Sequence, residues 1–244
     1  MVKIGNGDGM KTLQSLGENI WMAEGPVVEG AAGFHFPTRM VVIRLSNGDL
    51  WIWSPVAPVD DLIDEVRQLG PVRWIVAPND LHHLNVGLWA EHFPGINICA
   101  VPRLVEKRPD LTISHVFGND PIAEWQGDLE QVIFDGNLIL TEIVFFHRAS
   151  GTAIFTDLLQ QMPGGWFAGW RGLVAKLDYL TEDEPAVPRK FRWAFVRKRR
   201  LREKVAIVFD WPVGQVVMAH GQPVLRGAGA FLRRAFAWCG PIGR

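Results

Sequence analysis

The sequence contains little cysteine, a single tyrosine and no long apolar run. Its 2 cysteines, Cys99 and Cys239, lie in apolar stretches of the 244 residues. This predicts buried free thiols in a reducing compartment rather than a disulfide framework. No apolar run reaches the ~20 residues that a membrane-spanning helix needs, and the opening MVKIGNGDGMKTL lacks the apolar core of a signal peptide. We therefore expect a cytoplasmic protein with no membrane partner.

The charge balance provides no general attraction to polyanions. The formal net charge is -1 at pH 7, so no nucleic-acid partner is expected. The basic stretch 189–204 is predicted to be a solvated helix face that balances the acidic residues 182–184, although its charge also suits an anionic substrate, phospholipid or nucleic acid. The 11 tryptophans could fill the core, line a pocket or form a homodimer interface.

The order of the predicted elements indicates the fold class. Strands are predicted at 20–23, 40–45, 50–53, 74–77, 96–101, 129–134, 138–147, 152–156 and 215–219. Helices are predicted at 58–70, 83–92 and 227–238, with further helical structure from 166 to 204 that is broken around 181–188. Two β-rich segments, each followed by helices, favour two stacked sheets with helices outside. We therefore predict an α/β (α+β) fold, a four-layer αββα sandwich that forms one domain over residues 1–244.

Polar residues follow several of these strands. His82 and His83 lie between the strand 74–77 and the next helix, Asp157 ends the strand 152–156, and His220 follows the strand 215–219. Strand ends are where α/β proteins commonly place their functional side chains. Three imidazoles and a carboxylate would suit Zn²⁺, Fe²⁺ or Mn²⁺. The spacing is long-range, so solvated histidines at a helix start remain an alternative.

The segments APNDLHHLNVGLWAEHFP, LTEIVFFHRASGTAIFTDLL and VVMAHG carry a family resemblance. Nearly the whole chain resembles the metallo-β-lactamase-fold hydrolase superfamily, whose fold is a four-layer sandwich of the metallo-β-lactamase type. Within this superfamily, the chain most closely resembles the DUF4336 branch. The superfamily's HxHxDH motif falls on residues 78–83. Its two leading histidines fall on Pro78 and Asp80, and its GHT-type histidine falls near Leu138, so the resemblance implies that the first metal site is lost.

The resemblance implies a different outcome for the second metal site. The motif's aspartate is replaced by His82, and its closing histidine, bridging aspartate and final histidine fall on His83, Asp157 and His220. One divalent ion, zinc with iron or manganese as alternatives, is therefore expected on these residues. Four protein ligands could also form a closed structural site.

Two functional hypotheses follow. The first is a metal-dependent hydrolase of an unknown small molecule, with a single ion at the second site and with Asp80 or Glu142 as the candidate base. Asp80 could instead orient a ligand or join the coordination sphere. The alternative is a catalytically degenerate scaffold that binds a ligand or a protein, which the loss of the first site favours.

Overall fold

The computed structural model describes residues 12–118 and 122–242. One sheet has the strand order β1-β2-β3-β4-β5-β6-β7. Its strands are β1 (Gln14–Gly17), β2 (Ile20–Glu29), β3 (His35–Arg44), β4 (Leu50–Trp53), β5 (Val72–Ala77), β6 (Asn97–Ala100) and β7 (His115–Val116). The second sheet has the order β11-β10-β9-β8. Its strands are β8 (Leu129–Phe134), β9 (Glu142–His147), β10 (Thr152–Gln160) and β11 (Gln215–His220).

The second sheet is buried on both faces because its strands are apolar at successive positions. In β9, Ile143 and Phe145 join the core that fills the space between the sheets. Their neighbours Val144 and Phe146 join a second core beneath the helices. Successive side chains of a strand point to opposite faces, so this continuous apolar run fills two cores, as is typical of an internal sheet layer.

Helices cover the outer faces. They are α1 (Asp60–Leu69), α2 (Val86–His92), α3 (Pro102–Lys107), α4 (Gly169–Leu177), α5 (Arg189–Ala194), α6 (Lys198–Asp210) and α7 (Ala228–Ala235). The contacts of α2 are with β5, whereas α6 and α7 contact β8 and β11. The predicted four-layer arrangement is therefore confirmed. Among the described residues, no helix combines the length and apolar character needed to cross a membrane.

Several boundaries differ from the sequence prediction. The helix expected from His83 begins only at Val86, and the strand expected to end at Thr156 continues to Gln160. The strand expected to begin at Met40 begins at His35, after a short 3₁₀ turn at Ala31–Gly33. The strands before and after α2, β5 and β6, pair in parallel, and Cys99 and Cys239 are buried and free, as predicted.

A buried histidine ends β9. His147 is 1 % exposed, and its Nδ1 lies 2.8 Å from Ser150 Oγ in the following turn. Burial lowers the pKa of His147 to about 4, against a smaller opposing effect of Asp128. The folded protein therefore holds this imidazole neutral at pH values where the unfolded chain protonates it.

We expect the free energy of unfolding to fall as the pH is lowered from 6.5 to about 4. In this window the unfolded state binds a proton that folded His147 excludes, which contributes up to about 1.4 kcal/mol per pH unit. Urea unfolding across this range should show a shallower pH dependence for His147→Gln than for the control variant His92→Gln, since His92 is exposed. Equal slopes for the two variants would contradict this assignment.

Candidate metal centre

The turn after β5 presents the first histidine. Asn79 lies two residues after the end of the strand, and its side-chain Oδ1 accepts the backbone N–H groups of Leu81 and His82, both at 2.9 Å. An asparagine that accepts from the backbone two residues on forms an Asx turn, which competes with helical backbone. His82 and His83 therefore lie ahead of the helix, and the side chains of these adjacent residues have different partners.

An irregularity in β10 presents the aspartate. The register between β10 and β11 shifts between Phe155 and Gln160, so backbone groups there lack the regular ladder. The carboxylate of Glu142 accepts the N–H groups of Thr156 and Asp157, each at 2.7 Å, and that of Leu158 at 3.0 Å. The Glu142 side chain thereby replaces missing ladder bonds and fixes the position of Asp157.

The end of β11 presents the third residue. His220 is the last residue of that strand, and Gly221 follows with a φ of +132°, a conformation that favours glycine. A Cβ atom at Gly221 would also lie 3.1 Å from Gln161 Cβ. The glycine of the AHG sequence therefore allows the chain to turn while the imidazole remains directed at the other two residues.

These three elements bring His82, Asp157 and His220 together. The two Nε2 atoms lie 3.2 Å apart. His82 Nε2 is 3.4 Å from Asp157 Oδ2, and His220 Nε2 is 3.4 Å from Asp157 Oδ1. One nitrogen or oxygen from each residue lies within 4.8 Å of the others, a spacing that could hold a metal ion.

Neighbouring groups orient both imidazoles. His220 Nδ1 lies 2.7 Å from the carbonyl oxygen of Pro37; because a carbonyl only accepts, Nδ1 carries the proton and Nε2 of the neutral ring offers a lone pair. His82 Nδ1 lies 2.8 Å from Ser54 Oγ. Ser54 has a φ of +49°, which is uncommon outside glycine and often marks a functional site. These partners supply the outer hydrogen bonds that metal-binding imidazoles usually have.

The carboxylate between the imidazoles is buried and charged. Asp157 is 4 % exposed and accepts the side-chain N–H groups of Asn79 at 2.7 Å and Gln160 at 2.8 Å. Burial alone would raise the pKa of Asp157, but His82 and His220 hold it well below its ordinary value. Two imidazole nitrogens and an ionised carboxylate form a donor set suited to zinc, so these residues fit the metal that the sequence predicts.

His83 does not belong to this group of three residues. Its Nδ1 lies 3.0 Å from Arg108 Nη1, and Arg108 is held by Asp110 through two hydrogen bonds. Because arginine only donates, Nδ1 must accept, which leaves the proton of a neutral ring on Nε2. Burial, followed by the charges of Lys107 and Arg108, lowers the pKa of His83 to about 4. In this arrangement His83 has no lone pair available for a metal ion, and its predicted role as a ligand remains a prediction.

The two candidate bases lie elsewhere. Glu142 is 0 % exposed, and Asp80 is 8 % exposed. Both carboxylate oxygens of Glu142 accept backbone N–H groups, as described above. Asp80 Oδ2 lies 3.9 Å from Arg103 Nε. Neither side chain lines the cavity at the metal centre, so this structure provides no contact that supports the predicted role of either residue as a base.

A cavity of about 910 Å³ opens beside the three residues, and His82, Asp157 and His220 line it. Sequence reasoning missed the residues that orient them: Ser54, Asn79, Gln160 and the carbonyl of Pro37. Asn79 carried a usable signal, since asparagine side chains in turns commonly form Asx turns with the backbone two residues on. The contacts of Ser54 and Pro37 are long-range, and the sequence pattern contains no signal for them.

The sequence and the fold were compared with known proteins. Residues 18–168, more than half of the chain, match the family model described as "Domain of unknown function (DUF4336)". A search of curated proteins found no significant match.

Solved metallo-β-lactamases share the fold. FIM-1 from Pseudomonas aeruginosa, in its mono-zinc form, superimposes with a TM-score of 0.59 at 16% identity, covering 94% of this chain and 96% of that chain. The metallo-β-lactamase from Pontibacter korlensis gives 0.60 at 12% identity, covering 93% and 97%. VMB-1 gives 0.63 at 9% identity, covering 95% and 98%. At these identities the likeness concerns the fold alone.

We expect Glu142→Gln to lower the free energy of unfolding by about 1 to 3 kcal/mol, because the amide replaces one acceptor oxygen and leaves a buried backbone N–H without a partner. Burial and the charge of Asp157 raise the pKa of Glu142 to about 8, whereas its three N–H donors favour the ionised form. Urea denaturation measures the effect, with Glu91→Gln as an exposed control. Equal stability of the two variants would rule out the bracing role.

Proposed function

Because the chain belongs to the DUF4336 family and has the metallo-β-lactamase fold, we propose that it is a hydrolase that uses one divalent metal ion. The ion would be held by His82, Asp157 and His220. The observation that carries this proposal is the convergence of these three ligand groups, two buried and one partly buried, each oriented by further hydrogen bonds, at the side of a large cavity. Zinc is the preferred candidate because imidazole nitrogen and carboxylate oxygen are common zinc ligands.

The number of ligands favours catalysis over a purely structural site. Structural zinc usually has four protein ligands, whereas catalytic zinc has three and leaves a position for water or substrate. The contacts of His83 with Arg108 support a set of three. A divalent ion bound there would polarise the scissile group and lower the pKa of a water molecule.

The surroundings also support a single ion. Pro78 has no side-chain donor, and its carbonyl accepts the N–H of Ile143 at 2.9 Å. The other leading motif position is Asp80, which faces Arg103 and does not line the cavity. The chain's own contribution would then be to orient the imidazoles through Ser54 and Pro37, and to keep Asp157 ionised through Asn79 and Gln160.

Metal titration tests the site. We expect isothermal titration calorimetry with Zn²⁺ to give about one site per chain, and His220→Ala or Asp157→Ala to weaken binding by at least about 100-fold, since even outer-shell changes can cost 10- to 100-fold. His92→Ala, at an exposed histidine, is the matched control. Protein that binds no divalent metal would refute the proposal.

His83→Ala separates the two ligand sets. With three ligands, its Zn²⁺ affinity should fall by no more than about 10-fold, the weak end of outer-shell effects, because His83 would act only through its neighbours. A loss of Zn²⁺ affinity as large as that of His220→Ala would instead support four protein ligands, with His83 as the fourth.

Hydrolysis distinguishes an enzyme from a binding scaffold. Esters, lactones, thioesters and phosphodiesters should be assayed with Zn²⁺, Fe²⁺ and Mn²⁺. We expect metal-dependent turnover of at least one class, abolished in His220→Ala and retained in His92→Ala. Metal binding without turnover of any class would favour the scaffold, an alternative that the replaced first-site positions Pro78 and Asp80 support.

A further inference from the structure

The cavity at the metal centre has exposed apolar walls. Large apolar side chains from three parts of the chain line it while remaining open to solvent, including Leu84 at 59 % exposure, Leu177 at 52 % and Trp193 at 76 %. Soluble proteins rarely leave large contiguous apolar surfaces uncovered unless a ligand or a partner occupies them. The location of these side chains around one cavity indicates that its ligand is largely apolar.

The apolar surface continues to the metal centre. Phe36 lines the cavity, and its ring centroid lies 5.3 Å from that of His220. Phe34 lies on the same wall and packs against Phe167 at a centroid distance of 5.0 Å. A substrate placed at the three candidate ligands would therefore contact aromatic surface directly. The cavity of about 910 Å³ is at the upper end of the range for small-molecule sites.

Two cations in the cavity wall have no acidic partner in the part of the chain that the structure describes. Lys107 donates to the backbone oxygen of Asp80 at 2.6 Å, and the Arg189 guanidinium lies 4.3 Å from the ring centroid of Tyr179. Within the described residues, neither has a carboxylate at ion-pair distance. The third cation of the wall, Lys190, is paired with Asp178 at 3.3 Å.

The carboxylates of the cavity wall either have other partners or are exposed. Asp157 lies between the two imidazoles and Asp178 is paired with Lys190, so exposed Glu29 is the remaining one among the described lining residues. Lys107 and Arg189 therefore retain charge that could bind an anion, and a lysine or arginine amid apolar walls binds an anion more strongly than it would in water.

We propose that the cavity binds an amphipathic anion, a molecule with an extended apolar body and one carboxylate or phosphate group. The apolar body would lie along Phe36, Leu84, Leu177 and Trp193, and the anionic group would bind Lys107 or Arg189. As the substrate class of the hydrolase, this inference rests on the proposed function, because the bond that is cleaved must lie at the metal centre.

Straight-chain carboxylates provide the test. Hexanoate, octanoate and decanoate, below their micelle-forming concentrations, should be titrated by calorimetry into chelator-treated protein whose fold is verified by circular dichroism. We expect affinity to rise by about fourfold for each added methylene that is buried. Decanol and decyltrimethylammonium should bind at least about tenfold more weakly than decanoate, and decyl phosphate should bind comparably to it.

Variants separate the two components of recognition. Lys107→Met combined with Arg189→Met should remove the preference for decanoate over decanol but keep the dependence on chain length. Arg199→Met combined with Arg226→Met removes the same charge from exposed positions outside the cavity and should preserve the preference.

Leu177→Asp should abolish the dependence on chain length. Leu225→Asp, at a comparably exposed leucine outside the cavity, should not. Folded protein that fails to bind decanoate, binds decanol equally well, or responds alike to the test and control variants would overturn the inference.

The metal titration distinguishes this inference from the proposed function. Because chelator-treated protein is used, carboxylate binding does not depend on a bound ion. Zn²⁺ binding without decanoate binding would overturn the substrate class alone. Decanoate binding without Zn²⁺ binding would support the amphipathic cavity and refute the metal-dependent hydrolase.

Discussion

The candidate site depends on a negative charge held in the protein interior. Asp157 is nearly inaccessible to solvent, and an unpaired buried carboxylate would be costly. Asn79 from the turn after β5, Gln160 from β10, and the imidazoles of His82 and His220 all contact it. Because these residues come from separate strands of both sheets, satisfying one charge brings the distant parts of the chain into register around the cavity.

Two further positions, one acidic and one with a strained backbone, hold the residues around this charge. Glu142 binds the backbone of β10 at the point where its pairing with β11 is interrupted. Ser54 adopts a φ of +49° in the residue that contacts His82. A strained backbone conformation of this kind persists only where the surrounding structure holds it in place. Glu142 and Ser54 both contact residues of the candidate site.

Sequence patterns were sufficient for the layers and for most of the candidate centre. The order of strands and helices predicted two stacked sheets with helices outside, and polar residues at strand ends predicted His82, Asp157 and His220 as site residues. Sequence patterns could not show that β10 continues to Gln160. The backbone after Phe155, where the register with β11 shifts, is bound by the Glu142 side chain from another strand. Sequence patterns also could not show that the side chains of His82 and His83 have different surroundings. The two residues differ through partners distant in sequence, Ser54 and Arg108, which no local pattern contains.

The separation of His82 from His83 connects the metal centre with the cavity. If Arg108 occupies the free nitrogen of His83, a bound ion has three protein ligands and retains a position open to the cavity. That position would lie beside the wall in which Phe36 adjoins His220, so a reacting group would contact aromatic surface. The same apolar surroundings strengthen electrostatic interactions within the site. Lys107 is close enough to His83 to affect its pKa, and it lines the same cavity. Under the two proposals, the basic cluster around His83 would therefore serve substrate recognition rather than metal binding.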